Sequence, residues 1–329
     1  MNDMRIPRRA ALTAAALAAL TPLGGARAQQ YPDRPVKWIV PYAAGGGSDV
    51  LARLVGTGLS DRLGQPVVID NRPGGATNIG AEAAAKSPPD GYTVFTADNG
   101  TLVFNPALFR RLPYDVDRDF RPIGLLARFH LVLSVTQGSA IRSAKDLLDR
   151  AKAEPGAITY GSAGVGSPHH LTMARLARET GVELNHVPYR GSAPALNDLL
   201  AGSVEAMVID YAAGGEYLRS GRVRPLAVCS AAPVEGLPGV PTVQEALGLR
   251  GFEAYAWQGL VLPKRTPDPA AARLSSDLAA VLRDEATAVR MRELGVEPLP
   301  GGPGEFQALL EAERKIWVPL IRDLRITLD

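Results

Sequence analysis

"IVPYAAGGGSDVLARLVGTGL", from Ile39 to Leu59, decides how the chain is read. An apolar, β-branched run ends at Pro41 and Tyr42, three glycines follow, and a helix-period pattern begins behind them. In an open parallel sheet, ligands gather beyond the carboxyl ends of strands, where the next helix presents free N–H groups. Gly45, Gly46 and Gly47 occupy such a place. Without Cβ atoms, consecutive amides can turn inward into an anion-binding concavity, and the positive end of the helix dipole adds to it. Ser48 supplies a hydroxyl, and Asp49 either caps the helix or meets an ammonium or hydroxyl group of the ligand.

A second junction of this kind is "YGSAGVGSPHHL", Tyr160 to Leu171. Ser162, Gly164, Gly166 and Ser167 precede Pro168, a residue favoured at a first helical position. Two anion-shaped loops predict a ligand gripped from both sides. "NRPGGATNIGA" (Asn71 to Ala81) and "PYRGSAPA" (Pro188 to Ala195) also lead from strands into helices. Their Arg72 and Arg190 are either carboxylate clamps or braces of the turns beside them.

Outward from these loops, short β-branched runs alternate with helix-period segments. Strands are predicted at 36–40, 67–70, 92–97, 131–135, 157–162, 185–189, 205–210 and 224–230, and helices at 49–63, 79–86, 144–152, 169–180, 193–201 and 243–247. The alternation predicts an α/β fold of largely parallel sheets covered by helices on both faces. "LVLSV" (Leu131 to Val135) and "FEAYAWQGLVL" (Phe252 to Leu262) are the expected crossings between two lobes. Residues 29–128 and 251–329 would form lobe 1, and 129–250 lobe 2. "ALLEAERKIWVPLIRDL" (Ala308 to Leu324) predicts a closing helix interrupted or bent near Pro319.

Residues 1–28 carry Arg5, Arg8 and Arg9, the apolar run "AALTAAALAAL" and then "ARA", the order of an export signal too short to remain as a membrane span. Adjacent Arg8 and Arg9 permit a twin-arginine route as well as general secretion. The formal charge of the whole chain is +2, and removal of four arginines and one aspartate with the signal leaves −1. That balance argues against nucleic acid as a partner. The lone Cys229 cannot form an internal disulfide, so an exported chain of this size must rely on its core.

Enzymatic readings of the loops fail on spacing. The sixth position of a dinucleotide fingerprint is Val50 counted from Gly45 and His169 counted from Gly164. Gly166 is followed by Ser167 where a phosphate loop needs Lys, and no serine stands in a G-x-S-x-G elbow. His169 and His170 are sequence neighbours, about 100° apart on a helix, a poor arrangement for zinc. They are expected to pack or cap, with His170 lining the cleft. Catalytic residues, metal and cofactor are therefore all expected to be absent.

Taken in order, "YPDRPVKWIVPYAAGGGSDVLAR", "VVIDNRPGGATNIGAEAAAKSPPDGYT", "YGSAGVGSPHHL", "HVPYRGSAPALNDLLAGSVEAMV", "GVPTVQEA" and "WQGLVLPKRTP" resemble the signatures of the Bug, or TctC-like, family. These are extracytoplasmic solute-binding receptors of tripartite tricarboxylate transporters. The resemblance implies a two-lobed, type II-like periplasmic-binding-protein fold, hinge closure, no catalysis, and a di- or tricarboxylate, acidic amino acid or aromatic acid as ligand. It implies ligand contacts at Tyr42, Gly45, Gly46, Gly47, Ser48 and Asp49, and across the cleft at Ala163, Gly164, Val165, Gly166 and Ser167, partly through water. Further family positions map to Asn78, His170, Tyr189 and Asp210. Tyr211 follows at a variable position and either selects ligand or packs beneath the cleft. Ser48 stands where Thr is frequent, Asp70 where Glu is usual, and Lys264 and Arg265 where small residues are common. The expectation is a periplasmic, monomeric receptor whose membrane partner is either a transporter or a sensor protein; an exported α/β enzyme is the remaining alternative.

Overall fold

The computed structural model describes residues 31–328; the expected export signal lies outside the described residues. The first part of the chain forms β1 (Val36–Val40), α1 (Gly47–Leu63), β2 (Val67–Asn71), α2 (Asn78–Ala85), β3 (Thr93–Asp98), a π-helical turn (Gly100–Phe104), α3 (Asn105–Leu108), α4 (Val116–Asp119) and β4 (Phe120–Thr136). Then come α5 (Ala144–Ala153), β5 (Thr159–Ser162), α6 (Pro168–Thr180), β6 (Asn185–Pro188), α7 (Ser192–Ala201), β7 (Ala206–Asp210), α8 (Tyr211–Arg219), β8 (Val223–Val228) and α9 (Val243–Leu247). The chain ends in β9 (Tyr255–Pro263), α10 (Asp268–Arg283), α11 (Glu285–Glu293), β10 (Val296–Pro298) and α12 (Pro303–Asp323).

Strand order is β2-β1-β3-β9-β4-β7-β5-β6, with β10 and β8 also paired to β4. The parallel character expected from strand–helix alternation holds at the outer strands, where β1 pairs with β2 and β3, and β5 with β6 and β7. The middle is antiparallel: β9 runs against β3 and β4, and β4 against β7, β8 and β10. The sheet is therefore mixed. One 17-residue strand, β4, serves both halves, pairing with β9 up to His130↔Tyr255 and with β7 from Leu131↔Asp210 onward. Its first half escapes a periodicity reading because Pro122 and Gly124 interrupt the run, and the register with β9 shifts between those residues.

Period-2 burial splits each strand between two cores. Trp38, Val40, Leu260 and Leu262 face one side and pack under Leu51, Val55, Leu59, Leu274 and Leu278 of α1 and α10. Phe95, Trp257 and Val261 face the other, join Phe104, Phe306 and Trp317, and continue through Leu131, Leu133 and Leu171 into the second half. A third cluster, around Leu196, Leu199, Met207, Ile209 and Leu218, fills the opposite face of that half. Helix α12 is shared, for Trp317 lies within cation–π reach of Arg175 and Asp323 pairs with Arg178 at 2.7 Å. The burial of Trp317, Leu320 and Ile321 offsets the donor that Pro319 removes, and the helix runs through it to Asp323. Helix α8 begins at Tyr211 and was hidden in the sequence by Gly214 and Gly215, whose low helix propensity is overridden by close packing, of Gly214 on Ile209 and of Gly215 against Arg219 and Tyr211.

Candidate functional site

The loop from β1 to α1 has the form its glycines predict. Gly45 is left-handed at φ 81°, and its N–H donates to Asp49 Oδ2 at 2.9 Å. Asp49 is buried and ion-paired with Arg53 at 2.9 Å, so it holds the loop from beneath. The Arg53 hydrogen bond outweighs the opposing effect of burial and, with the Gly45 amide, lowers the Asp49 pKa to about 2. Gly46 is the N-cap, extended and without a side-chain cap. Among the described residues the N–H groups of Gly47 and Ser48 have no protein partner.

Beneath this loop two buried polar residues, Asp98 and Gln258, close the end of a largely apolar face of the sheet. Asp98, the last residue of β3, accepts from Thr101 N at 2.7 Å, from Thr101 Oγ1 at 2.8 Å and from the Tyr42 hydroxyl. Burial, then the Asp98 carboxylate, and more distantly Asp210 raise the Tyr42 pKa well above the ordinary phenol range. Gln258 on β9 is in register with Asp98, and its Nε2 donates to Ser48 Oγ at 2.6 Å. Neither Asp98 nor Gln258 was singled out from sequence. The signal was present in Asp98, a carboxylate at the carboxyl end of a predicted strand.

The loop after β2 carries four consecutive residues at positive φ, Gly74, Gly75, Ala76 and Thr77, two of them not glycine. Asn105 supports it by donating to Ala76 O at 2.7 Å and Asn78 Oδ1 at 2.9 Å. Tyr114 also donates to Asn78 Oδ1, at 3.1 Å, so the Asn78 carbonyl is turned into its own half.

In the second half, the loop after β5 is bonded almost wholly to itself. Gly164 N–H donates to Ser162 Oγ at 3.1 Å, Ser167 Oγ donates to Gly164 O at 2.7 Å, and Gly166 N–H donates to His170 Nδ1 at 3.0 Å. Ser167 is the N-cap of α6 and accepts from His170 N. The amides of Ala163 and Val165 have no protein partner among the described residues. His170 stacks on His186 with centroids 3.9 Å apart and planes within 4°, and Tyr160 stacks behind at 4.9 Å from His186. Burial, then the neighbouring His186, lowers the His170 pKa to about 3; burial lowers that of His186 to about 4. Both rings are neutral at neutral pH, which lets His170 Nδ1 accept from the Gly166 amide, while His186 Nε2 lies within hydrogen-bond distance of Ser162 Oγ at 2.7 Å.

Tyr42 feels Asp210, and Leu108 fills the space that a Cβ on Gly166 would occupy, so the two halves meet at these loops. Asp210 is bonded to buried His169 at 2.7 Å. Burial opposes charge on His169, but the Asp210 carboxylate outweighs it and raises the pKa. The remaining expected residues are engaged elsewhere. Tyr189 donates to Asp198 at 2.6 Å, and buried Tyr211 donates to Gly236 O at 3.2 Å. Arg72 pairs with Asp70 at 2.8 Å on the surface, and Arg190 is exposed.

A cavity of about 390 Å³ lies away from these loops, between Ser87, Arg118, Pro263, Lys264 and Arg265. It lies at the Pro263 end of β9 and includes none of the residues of the glycine loops, so loop chemistry rather than volume locates the candidate site. No group of His, Cys, Asp or Glu among the described residues could hold a metal ion, and no described helix is long and apolar enough to cross a membrane.

A mixed sheet in two halves, with strand-to-helix loops meeting between them, defines a two-lobed solute-binding receptor. The chain belongs to the tripartite tricarboxylate transporter family receptors, whose family model matches residues 51–326. It is 39% identical over 324 residues, 98% of this chain and 96% of the relative, to the UPF0065 protein in the tcbD-tcbE intergenic region of Pseudomonas sp. strain P51. Among solved structures it is similar to R. palustris Rpa4515 with adipate (38% identity, TM-score 0.81, 89% of this chain and 97% of that one). It is similar also to the periplasmic binding protein BugD (33% identity, TM-score 0.78, 90% and 99%). It is thus a solute-binding receptor of the TctC/Bug type, a family of periplasmic receptors.

Proposed function

We propose that this receptor is exported, captures a small carboxylate between its lobes, and delivers it to a tripartite tricarboxylate-type membrane transporter without catalysing a reaction. The lobes are residues 29–128 with 251–329, and 129–250. Closure takes place where β4 changes partners, between His130 and Leu131, and at the return crossing before Tyr255. The observation that carries the reading is the pair of strand-to-helix loops with unpaired amides, Gly47 and Ser48 from one half and Ala163 and Val165 from the other. Free N–H groups at a helix start are built to accept an anion. That a 38%-identical structural neighbour holds adipate agrees in ligand class.

A thermal-shift screen of the mature protein, from about Gln29 onward, across mono-, di- and tricarboxylates and acidic amino acids tests the proposal. A ligand at 100 times its Kd adds about 2.7 kcal/mol of stability. Binding should also shrink the radius of gyration measured by small-angle scattering. A panel in which no carboxylate stabilises the protein removes the reading.

A further inference from the structure

We infer that Gln258 recognises a hydrogen-bond donor on the ligand, so that the preferred solute is a carboxylate bearing a hydroxyl or ammonium group beside its carboxyl carbon; this rests on the carboxylate reading above. Gln258 lies in β9 opposite Asp98 of β3, and paired residues of neighbouring strands project from the same face. That face is apolar along Trp38, Val40, Leu260 and Leu262, with Thr96 between them satisfied by Trp38 Nε1, and becomes strongly polar at its end, under the first glycine loop. Buried polar groups there need partners. Those of Asp98 are all present: Thr101 N, Thr101 Oγ1 and the Tyr42 hydroxyl.

Those of Gln258 are not. The residue is 5% exposed; its Nε2 is used by Ser48, while Oε1 is buried with no hydrogen-bond partner. Because the amide is planar and short, contact with Ser48 places Oε1 beside the same loop whose Gly47 and Ser48 amides are unpaired. An anion seated on those amides brings its α-substituent toward Oε1. At that position the Gln258 carbonyl stands without a donor. A donor substituent satisfies it, whereas a methylene leaves Oε1 unpaired.

Calorimetric titration with three matched pairs that differ by one α-hydroxyl reads this directly: propionate and lactate, succinate and malate, phenylacetate and mandelate. In at least one pair the hydroxy acid should bind at least about tenfold tighter, as sites built to bond a substrate hydroxyl discriminate strongly. That ratio should fall below about threefold in Gln258→Leu and in Ser48→Ala, a change at a half-buried residue that removes the hold on the amide without opening the core. Ratios near one in the wild type, or ratios that both variants leave intact, overturn the inference while the carboxylate reading stands. A preference for the plain partner overturns it too, for then the amide NH₂ faces the ligand. If none of the six compounds binds and the wider panel is also silent, it is the carboxylate reading that has failed.

Discussion

The loop after β1 and the loop after β5 occupy equivalent places, each turning a strand of its own half into a helix, yet they are held in opposite ways. The first is exposed, lacks a side-chain cap, and leaves the Gly47 and Ser48 amides unpaired; buried Asp49, paired with exposed Arg53, steadies it from below. In the second, Ser162, Ser167 and His170 take up Gly164 N, Gly164 O and Gly166 N from within the loop. Both loops keep two amides free, Gly47 and Ser48 in one and Ala163 and Val165 in the other, but the second is also tied by its own side chains, a preformed state that lowers the ordering cost of binding. Four experiments can break or sharpen this contrast.

The largest effect belongs to Gly46→Val. Gly46 sits at φ −77°, and a Cβ there meets only Ala43 O at 3.4 Å, so the variant folds without strain. The added branches stand at the helix N-terminus where the proposed anion would approach. Calorimetry should show carboxylate affinity lower by about a hundredfold, or about 2.7 kcal/mol, with thermal stability almost unchanged. Full affinity would mean that the first loop only makes a turn.

Ser167→Asp comes next. Aspartate can still cap α6 by accepting from His170 N, but it places a negative charge where the second lobe is proposed to meet the ligand. Binding should weaken at least about tenfold for each 1.4 kcal/mol of unrelieved repulsion. Ser167→Ala should instead cost about 1 kcal/mol of stability through the lost cap, with a smaller effect on affinity. If Asp and Ala behave alike in titration, the second loop touches no anion.

Third, acid should loosen the second loop before the first. His170 and His186 have folded pKa values of about 3 and about 4, against about 6.5 in the unfolded chain. The unfolded state therefore binds more protons below about pH 6.5, and the stability these rings confer is lost as pH falls from there toward 4 and 3. Asp49 has its pKa depressed from 3.8 to about 2, so its contribution persists above about pH 3.8 and is lost only below that. Hydrogen exchange at pH 5, corrected for intrinsic rates, should rise severalfold in the first turn of α6 relative to pH 7.5 and stay unchanged in α1. His186→Phe keeps the stacking and removes one titration, and should narrow the gap.

What could be read from sequence follows the same contrast. The glycine spacing marked both loops, and helix periodicity placed α1 and α6, because those signals are local. Asp98, Gln258 and His186 were invisible as a set because strands distant in the chain bring them to the loops: β3 beside β9, and β6 beside β5. The hydroxyls of Tyr189 and Tyr211 have protein partners, Asp198 and the Gly236 carbonyl, that nothing in the local pattern announces. β4 was read as its last third alone, since a proline and a glycine in its first half erase the alternation that tertiary pairing restores.

The smallest effect is expected from the two arginines that most resemble carboxylate clamps. Arg72 is exposed and bonded to Asp70 at 2.8 Å, and Arg190 is exposed beside the turn into α7. An exposed ion pair contributes about 0–1 kcal/mol, and neither guanidinium is drawn toward the loop amides by a bond in this structure. Arg72→Ala and Arg190→Ala should therefore change carboxylate affinity by less than about threefold, with the residual change fading at higher salt as screening removes long-range attraction. The two variants are best measured beside Gly46→Val with one ligand and one buffer, since their value lies in the ratio. A loss of more than tenfold in either, kept at high salt, would put a cation in direct contact with the ligand. Recognition would then rest on a charged side chain brought in by closure, and the contrast between an open and a self-bonded amide loop would no longer explain where the anion sits.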